Sequence, residues 1–161
     1  MRHELLDGVH VVTPSPRLPH QRFLSNLEYA LRRALENRRD LEVFHSPADV
    51  VLEPRTLVQP DLFVIRQNPQ NRVESWDQIG IPVLAVEVLS ASTAARDRGA
   101  KRKIYQRVGI AEYWIVDLDA RLLERWKPED DRPEIIDNEF VWMPADDVSV
   151  TVPLDELFGT V

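Results

Sequence analysis

Carboxylates in apolar surroundings, lysines and histidines are the residues through which this chain could do chemistry, because cysteine is absent. Disulfides, iron–sulfur clusters and thiolate zinc sites are thereby excluded, and any metal must be held by oxygen or imidazole. The histidines His3, His10, His20 and His45 show no paired zinc-hydrolase spacing. Ser90 and Ser92 lack a Gly-x-Ser-x-Gly elbow, and no glycine-rich loop precedes a helix to cradle a nucleotide. Glu87 is more informative, because it interrupts the apolar run PVLAVEVLS. A carboxylate there is costly unless a cation or hydrogen-bond donors compensate it. Asp61 opens a second apolar run, DLFVI, straight after Pro60. If the two runs are neighbouring strands, both carboxylates can leave one face about 5 Å apart, Glu87 sharing that face with Ala85 and Leu89. Such a pair suits Mg2+, a hard cation that takes oxygen ligands. The alternative is that Asp61 caps a turn and Glu87 pairs with an arginine.

The next segment supplies a cation. Asp97, Lys101, Ile104, Tyr105 and Val108 fall on one stripe of a helix, whereas Arg98, Arg102, Lys103 and Gln106 point elsewhere. Lys101 is therefore expected on the core side, able to reach back to Glu87. There it could position a water or offset charge developing on a phosphate. A plain i,i+4 ion pair with Asp97 is the competing account. Two carboxylates with an inward lysine match the needs of metal-assisted phosphodiester hydrolysis.

These groups need a scaffold, and the pattern predicts one. Asp7-Gly8 between apolar stretches marks a hairpin. Apolar residues at three- and four-residue spacings from His20 to about Asn37 predict an amphipathic helix. Leu41–His45, Ala48–Glu53, Asp61–Ile65 and Pro82–Ser90 read as strands, the last covered on both faces. A helix capped by Ser92 or Thr93 should run to about Val108, with Gly109 left-handed at its end. Glu112–Asp117 and Leu122–Trp126 read as a hairpin, Ile135–Met143 and Val148–Val152 as further strands, and Leu154–Phe158 as a last helical turn. The expectation is one α/β domain over residues 1–161, a mixed central sheet flanked by helices with additional antiparallel strands at the C-terminus.

Charge narrows the partners. The net charge is −7, which disfavours general binding to a polyanion. It is unevenly spread, since residues 112–161 hold 14 acidic and 4 basic residues and residues 1–111 hold 13 and 16. The stretch from Arg96 to Arg107 has six cations against Asp97 alone. No signal peptide or membrane-spanning run is present, so a cytoplasmic protein is expected.

The order Pro60-Asp61, then Glu87-Val88-Leu89-Ser90, then Lys101 resembles the PD-(D/E)XK nuclease superfamily. More narrowly, VQPDLFVI together with LAVEVLSASTAARDRGAKRKIYQRVGIAEYWIVD is similar to the "Putative restriction endonuclease" family, over a stretch from HELLDG to about Trp126. The resemblance implies a restriction-endonuclease-like core and Mg2+-dependent cleavage of DNA, with Mn2+ substituting and RNA as another backbone open to the same chemistry. It implies Asp61, Glu87 and the backbone carbonyl of Val88 as metal ligands and Lys101 as the catalytic lysine. The superfamily's lysine normally lies two residues after the glutamate; Leu89 stands there, and the next helix supplies the amine. His20 matches a recurring family position, from which it would approach the metal edge or hold Glu4. A nuclease-fold module that binds DNA or a protein partner without turnover is the alternative. Tyr113, Trp114 and Trp126 are expected in the core more than stacked on bases. A homodimer is expected for cutting two strands, with Trp126, Phe140 and Trp142 as a surface for it unless they complete the core.

Overall fold

The computed structural model describes residues 1–159. β1 (Arg2–Leu6) and β2 (Val9–Thr13) form the expected hairpin. Both turn residues have positive φ, 51° at Asp7 and 86° at Gly8, the geometry that makes Asp-Gly favourable in a two-residue turn. At Gly8 a Cβ would also meet the movable end of the Arg55 side chain, but it is the positive φ that favours glycine there. α1 (Leu18–Ala34) starts slightly before the predicted point, with Pro19 in its first turn, and buries Phe23, Leu27 and Leu31.

β3 (Leu41–His45), β6 (Leu62–Arg66), β7 (Leu84–Val88), β8 (Glu112–Asp117), β9 (Leu122–Trp126) and β10 (Glu134–Ile136) build a six-stranded sheet in the order β10-β9-β8-β7-β6-β3. Only β7 and β8 run parallel; the other pairs are antiparallel. The predicted strand at Ala48–Glu53 is shorter, β4 (Val50–Glu53), and turns at Pro54-Arg55 into an unforeseen β5 (Thr56–Val58). With the first hairpin these make a second sheet, β2-β1-β5-β4. The run expected as one strand from Ile135 to Met143 is divided: β10 joins the main sheet, while β11 (Phe140–Ala145) pairs with β12 (Val148–Val152). α4 (Leu154–Gly159) follows.

The main sheet is covered on both faces. On one, Leu84, Val86 and Val88 pack with α1, Trp114, and Trp142 and Val150 of the β11–β12 hairpin. On the other, Ala85 and Leu89 pack with Val50 and Val58 of the small sheet and with Ile104 and Tyr105. Tyr113, Trp114, Trp126, Phe140 and Trp142 are all buried. The aromatics considered as a subunit surface therefore complete the core: Phe140 and Trp142 because the β11–β12 hairpin folds back onto the sheet, and Trp126 on the opposite face, beneath Arg102. Among the described residues no helix is long and apolar enough to cross a membrane.

Candidate active site

Pairing of β6 with β7 matches Leu62 to Val86 and Phe63 to Ala85. Continued by one residue, this register sets Asp61 opposite Glu87 at the end of the sheet. Alternation turns both toward the face covered by the small sheet, and both are buried. The Val88 amide donates to Asp61 Oδ2 at 2.7 Å. The Val88 carbonyl faces the same side of β7, since N–H and C=O of one strand residue point the same way. The residue opposite it in the register is Pro60, which has no amide hydrogen to give it.

The segment after β7 is not one regular helix. α2 (Ala94–Arg96) and α3 (Arg102–Val108) are joined by a π-helical turn over Asp97–Lys101. Thr93 holds the N-cap position, but its hydroxyl accepts the Ser90 amide at 3.1 Å instead of capping the helix. Such π turns often occur at functional positions, and this one buries Asp97 and Lys101 together. Lys101 Nζ donates to Glu87 Oε1 and, at 2.8 Å, to Glu4 Oε1; Asp97 Oδ1 is farther away, at 4.0 Å. The lysine thus reaches the sheet and does not stop at its helical neighbour. Lys103, the other candidate, is exposed. Leu89, at the superfamily's usual lysine position, packs in the core with Ala85 and Ile104.

Glu4, Arg2 and Asp97 belong to this cluster as well. Glu4 accepts the Gln59 amide at 2.8 Å in addition to Lys101. Arg2 Nη1 donates to Asp61 Oδ1 at 2.5 Å and to the Gln59 carbonyl at 3.0 Å, while its Nε is buried without a partner. Tyr105 donates its hydroxyl to Glu87 Oε1 at 3.2 Å. The signal for Glu4 and Arg2 was present in the first strand, RHELL, where Arg2, Glu4 and Leu6 alternate onto one face; nothing in the sequence said that a carboxylate awaited them there. His20 does not hold Glu4, which accepts from the Gln59 amide and Lys101 instead. Its Nε2 lies 2.6 Å from the Leu89 carbonyl, which fixes the end of β7, and its Nδ1 is buried without a partner.

Four buried carboxylates therefore meet two cationic side chains, an excess of two negative charges if all are ionised. Burial drives the Glu87 carboxyl well above its ordinary range; Lys101 opposes the rise, and Asp61, Asp97 and Glu4 add to it. Burial likewise carries Asp97 up to about 6, against the pull of Lys101. Burial alone would lower the Lys101 pKa, but Glu87, Glu4 and Asp97 outweigh it and keep the ammonium charged. Burial also holds Tyr105 neutral by raising its pKa, with Glu87 contributing. The donors are all oxygens, and the charge excess equals that of one divalent cation, so the residues fit Mg2+. Among the described residues, however, no three His, Asp or Glu side chains form a ready-made cation cage. Lys101 and Arg2 occupy the oxygens instead.

Most of the basic run is already engaged, although Lys103 is exposed with no ion pair among the described residues. Arg98 binds Glu124 at 2.7 Å, Arg107 binds Asp7 and Glu53 at 2.8 and 2.6 Å, and Arg102 stacks 4.6 Å over the Trp126 ring.

A mixed sheet flanked by helices, with acids and a lysine buried at its end, is the architecture of restriction-endonuclease-like nucleases. The model of the Uma2 family, described as "Putative restriction endonuclease", matches residues 1–152, and the chain belongs to that family. A curated relative, the uncharacterised protein sll1609 of Synechocystis sp. (strain PCC 6803), is 26% identical over 133 residues, covering 81% of this chain and 75% of the relative. A solved structure described as a putative nuclease belonging to DUF820, from Anabaena variabilis, superposes with a TM-score of 0.79 at 15% identity, over 98% of this chain and 89% of the other. At that identity the likeness establishes the fold.

Proposed function

We propose that this chain is a Mg2+-dependent endonuclease that hydrolyses DNA phosphodiester bonds. Asp61, Glu87 and the Val88 carbonyl hold the metal, with Mn2+ able to replace Mg2+, and Lys101 serves the reaction. The observation that carries the reading is the placement of Asp61 opposite Glu87 with the Lys101 ammonium on Glu87. A bound divalent ion supplies Lewis acidity toward a phosphate oxygen and favours ionisation of the attacking water.

The chain's own groups do the rest. Arg2 and Lys101 occupy oxygens of Asp61 and Glu87, so metal entry requires Arg2 to leave Asp61 and Lys101 to yield Glu87 oxygens. Lys101, held by Glu4 and Asp97, then orients the water or offsets charge on the phosphate. Tyr105 steadies Glu87 through its hydroxyl, and His20 steadies the strand end through Leu89. His20 is thus a positioning residue. Action on DNA implies a cytoplasmic protein, and cutting a duplex implies a homodimer, which light scattering at micromolar concentration tests.

The burial of Asp61, Glu87 and Lys101, with their charges already paired, favours a second reading: a nuclease-fold module that binds DNA or a protein without turnover. Plasmid nicking decides between them. Purified wild type should nick in Mg2+ or Mn2+, and Glu87→Ala and Lys101→Ala should not. Equal nicking by all three would reveal a contaminant, and no nicking by wild type together with no Mg2+ uptake at millimolar concentration would leave the second reading. Matched DNA and RNA strands settle the choice of backbone.

A further inference from the structure

The strand carrying Glu87 ends at Val88, and two segments close around that end. The chain between β2 and α1 crosses from the small-sheet face of the main sheet to its opposite face, and two contacts hold this crossing to the segment after β7. His20 Nε2 lies 2.6 Å from the Leu89 carbonyl, and Arg96 Nη1 donates to Thr13 Oγ1 at 3.0 Å. Both segments lack acids. From Gly8 to Leu27 and from Val88 to Arg96 there is no Asp or Glu, in a chain whose net charge is −7. Arg17, just before α1, and Arg22, on the outer side of its first turns, are exposed, and among the described residues neither has an ion pair. Exposed Ser15 and Ser92 add hydroxyl donors. Most of the basic helix contrasts with this rim: Arg98 and Arg107 are bound to the chain's own acids and Arg102 lies on Trp126, while Lys103 alone of these four is exposed with no ion pair among the described residues.

We propose that the phosphate backbone of the DNA substrate is held by this acid-free rim, chiefly by Arg17 and Arg22, and not by the paired cations of the basic helix. The inference rests on the nuclease reading for its choice of ligand. Affinity for DNA comes from cations that replace counterions, and only unpaired cations do so without first giving up an internal partner.

The test is fluorescence anisotropy with a labelled DNA duplex in EDTA, where no cleavage occurs, across a series of salt concentrations. Arg17→Gln/Arg22→Gln should weaken binding about tenfold or more at low salt and reduce the slope of log K against log salt by roughly 1.8, about 0.9 for each phosphate no longer neutralised. Arg98→Gln/Arg107→Gln, the paired cations of the basic helix, should change affinity less than about twofold. Unchanged binding by the rim variant, an equal loss in the helix variant, or no wild-type binding at low salt would each overturn the proposal. All four side chains reach solvent, and circular dichroism melts confirm that each variant is folded. Rim-dependent binding by a protein that never nicks DNA would defeat the nuclease reading and leave the rim standing.

Discussion

The two faces of the central sheet are made by the same strands and do opposite work. On β7, Leu84, Val86 and Val88 enter a core of aliphatic and aromatic side chains beneath α1. Between them, Ala85, Glu87 and Leu89 face the small sheet and the π-helical turn, where Glu87 meets Lys101, Tyr105, Asp61 and Glu4. A shift of one residue along a strand thus separates a position that stabilises by apolar burial from one whose charge must be compensated. A carboxylate cluster of this kind is weak evidence for stability, since the desolvation of buried ions offsets much of their attraction. Its retention on one face of β7, whose other face presents only Leu84, Val86 and Val88, is what a site would require.

Breaking this contrast should give graded outcomes. Lys101→Met, which strands Glu87 and Glu4 without their cation, should cost about 3–5 kcal/mol in urea unfolding and abolish nicking. Phe23→Ala, under the opposite face, should cost a similar amount, about 3–5 kcal/mol, yet leave cleavage per folded molecule unchanged. If both variants lose activity in proportion to folded protein alone, the two faces do not differ in function. Glu87→Gln keeps the volume and removes the charge; plasmid nicking should fall on the order of 10²–10³-fold, with a smaller effect on the melting temperature than Lys101→Met.

Asp97 sharpens the contrast through pH. Its carboxyl is raised by burial from 3.8 to about 6, so the folded chain binds the proton more tightly than the unfolded chain. Stability from this group is fully present below the unfolded pKa and is lost as pH rises through about 6, on the order of 2–3 kcal/mol in total. Asp97→Asn should flatten that decline in metal-free protein between about pH 4 and 6, read from urea midpoints. An unaltered profile would remove Asp97 from the cluster's charge balance. The smallest effect is expected from His20→Ala, which removes one hydrogen bond to the Leu89 carbonyl and should cost about 1 kcal/mol, with a larger change in turnover than in stability if β7's end supports the site. Rescue by His20→Asn, which keeps a donor, would support that role.

Much of the architecture was legible in the sequence because it follows local rules. Asp-Gly specified the first turn, the spacing of Phe23, Leu27 and Leu31 specified α1, and Gly109 at a φ of 83° ended α3. The inward stripe of Asp97, Lys101, Ile104 and Tyr105 could be read from spacing and is buried. The division of Ile135–Met143 into two strands was not readable, because a continuous apolar pattern does not say which sheet each half joins. Nor was β5, whose three residues are too few to show a period. The π turn escaped for a similar reason: one extra residue per turn leaves no compositional mark.

The sequence by itself determined that Glu87 would lie in a buried strand, on the face of Ala85 and Leu89, with Lys101 on the core side of the following helix. These are consequences of side-chain periodicity, which acts over a few residues. Long-range packing was needed to set Asp61 opposite Glu87, to bring Arg2 and Glu4 from the first strand to them, and to place His20 on Leu89. Those partners are 59, 97 and 69 residues apart in the pairs Arg2–Asp61, Glu4–Lys101 and His20–Leu89. Contacts over such separations are selected by strand register and by the packing of two sheets, and neither is encoded in any local pattern.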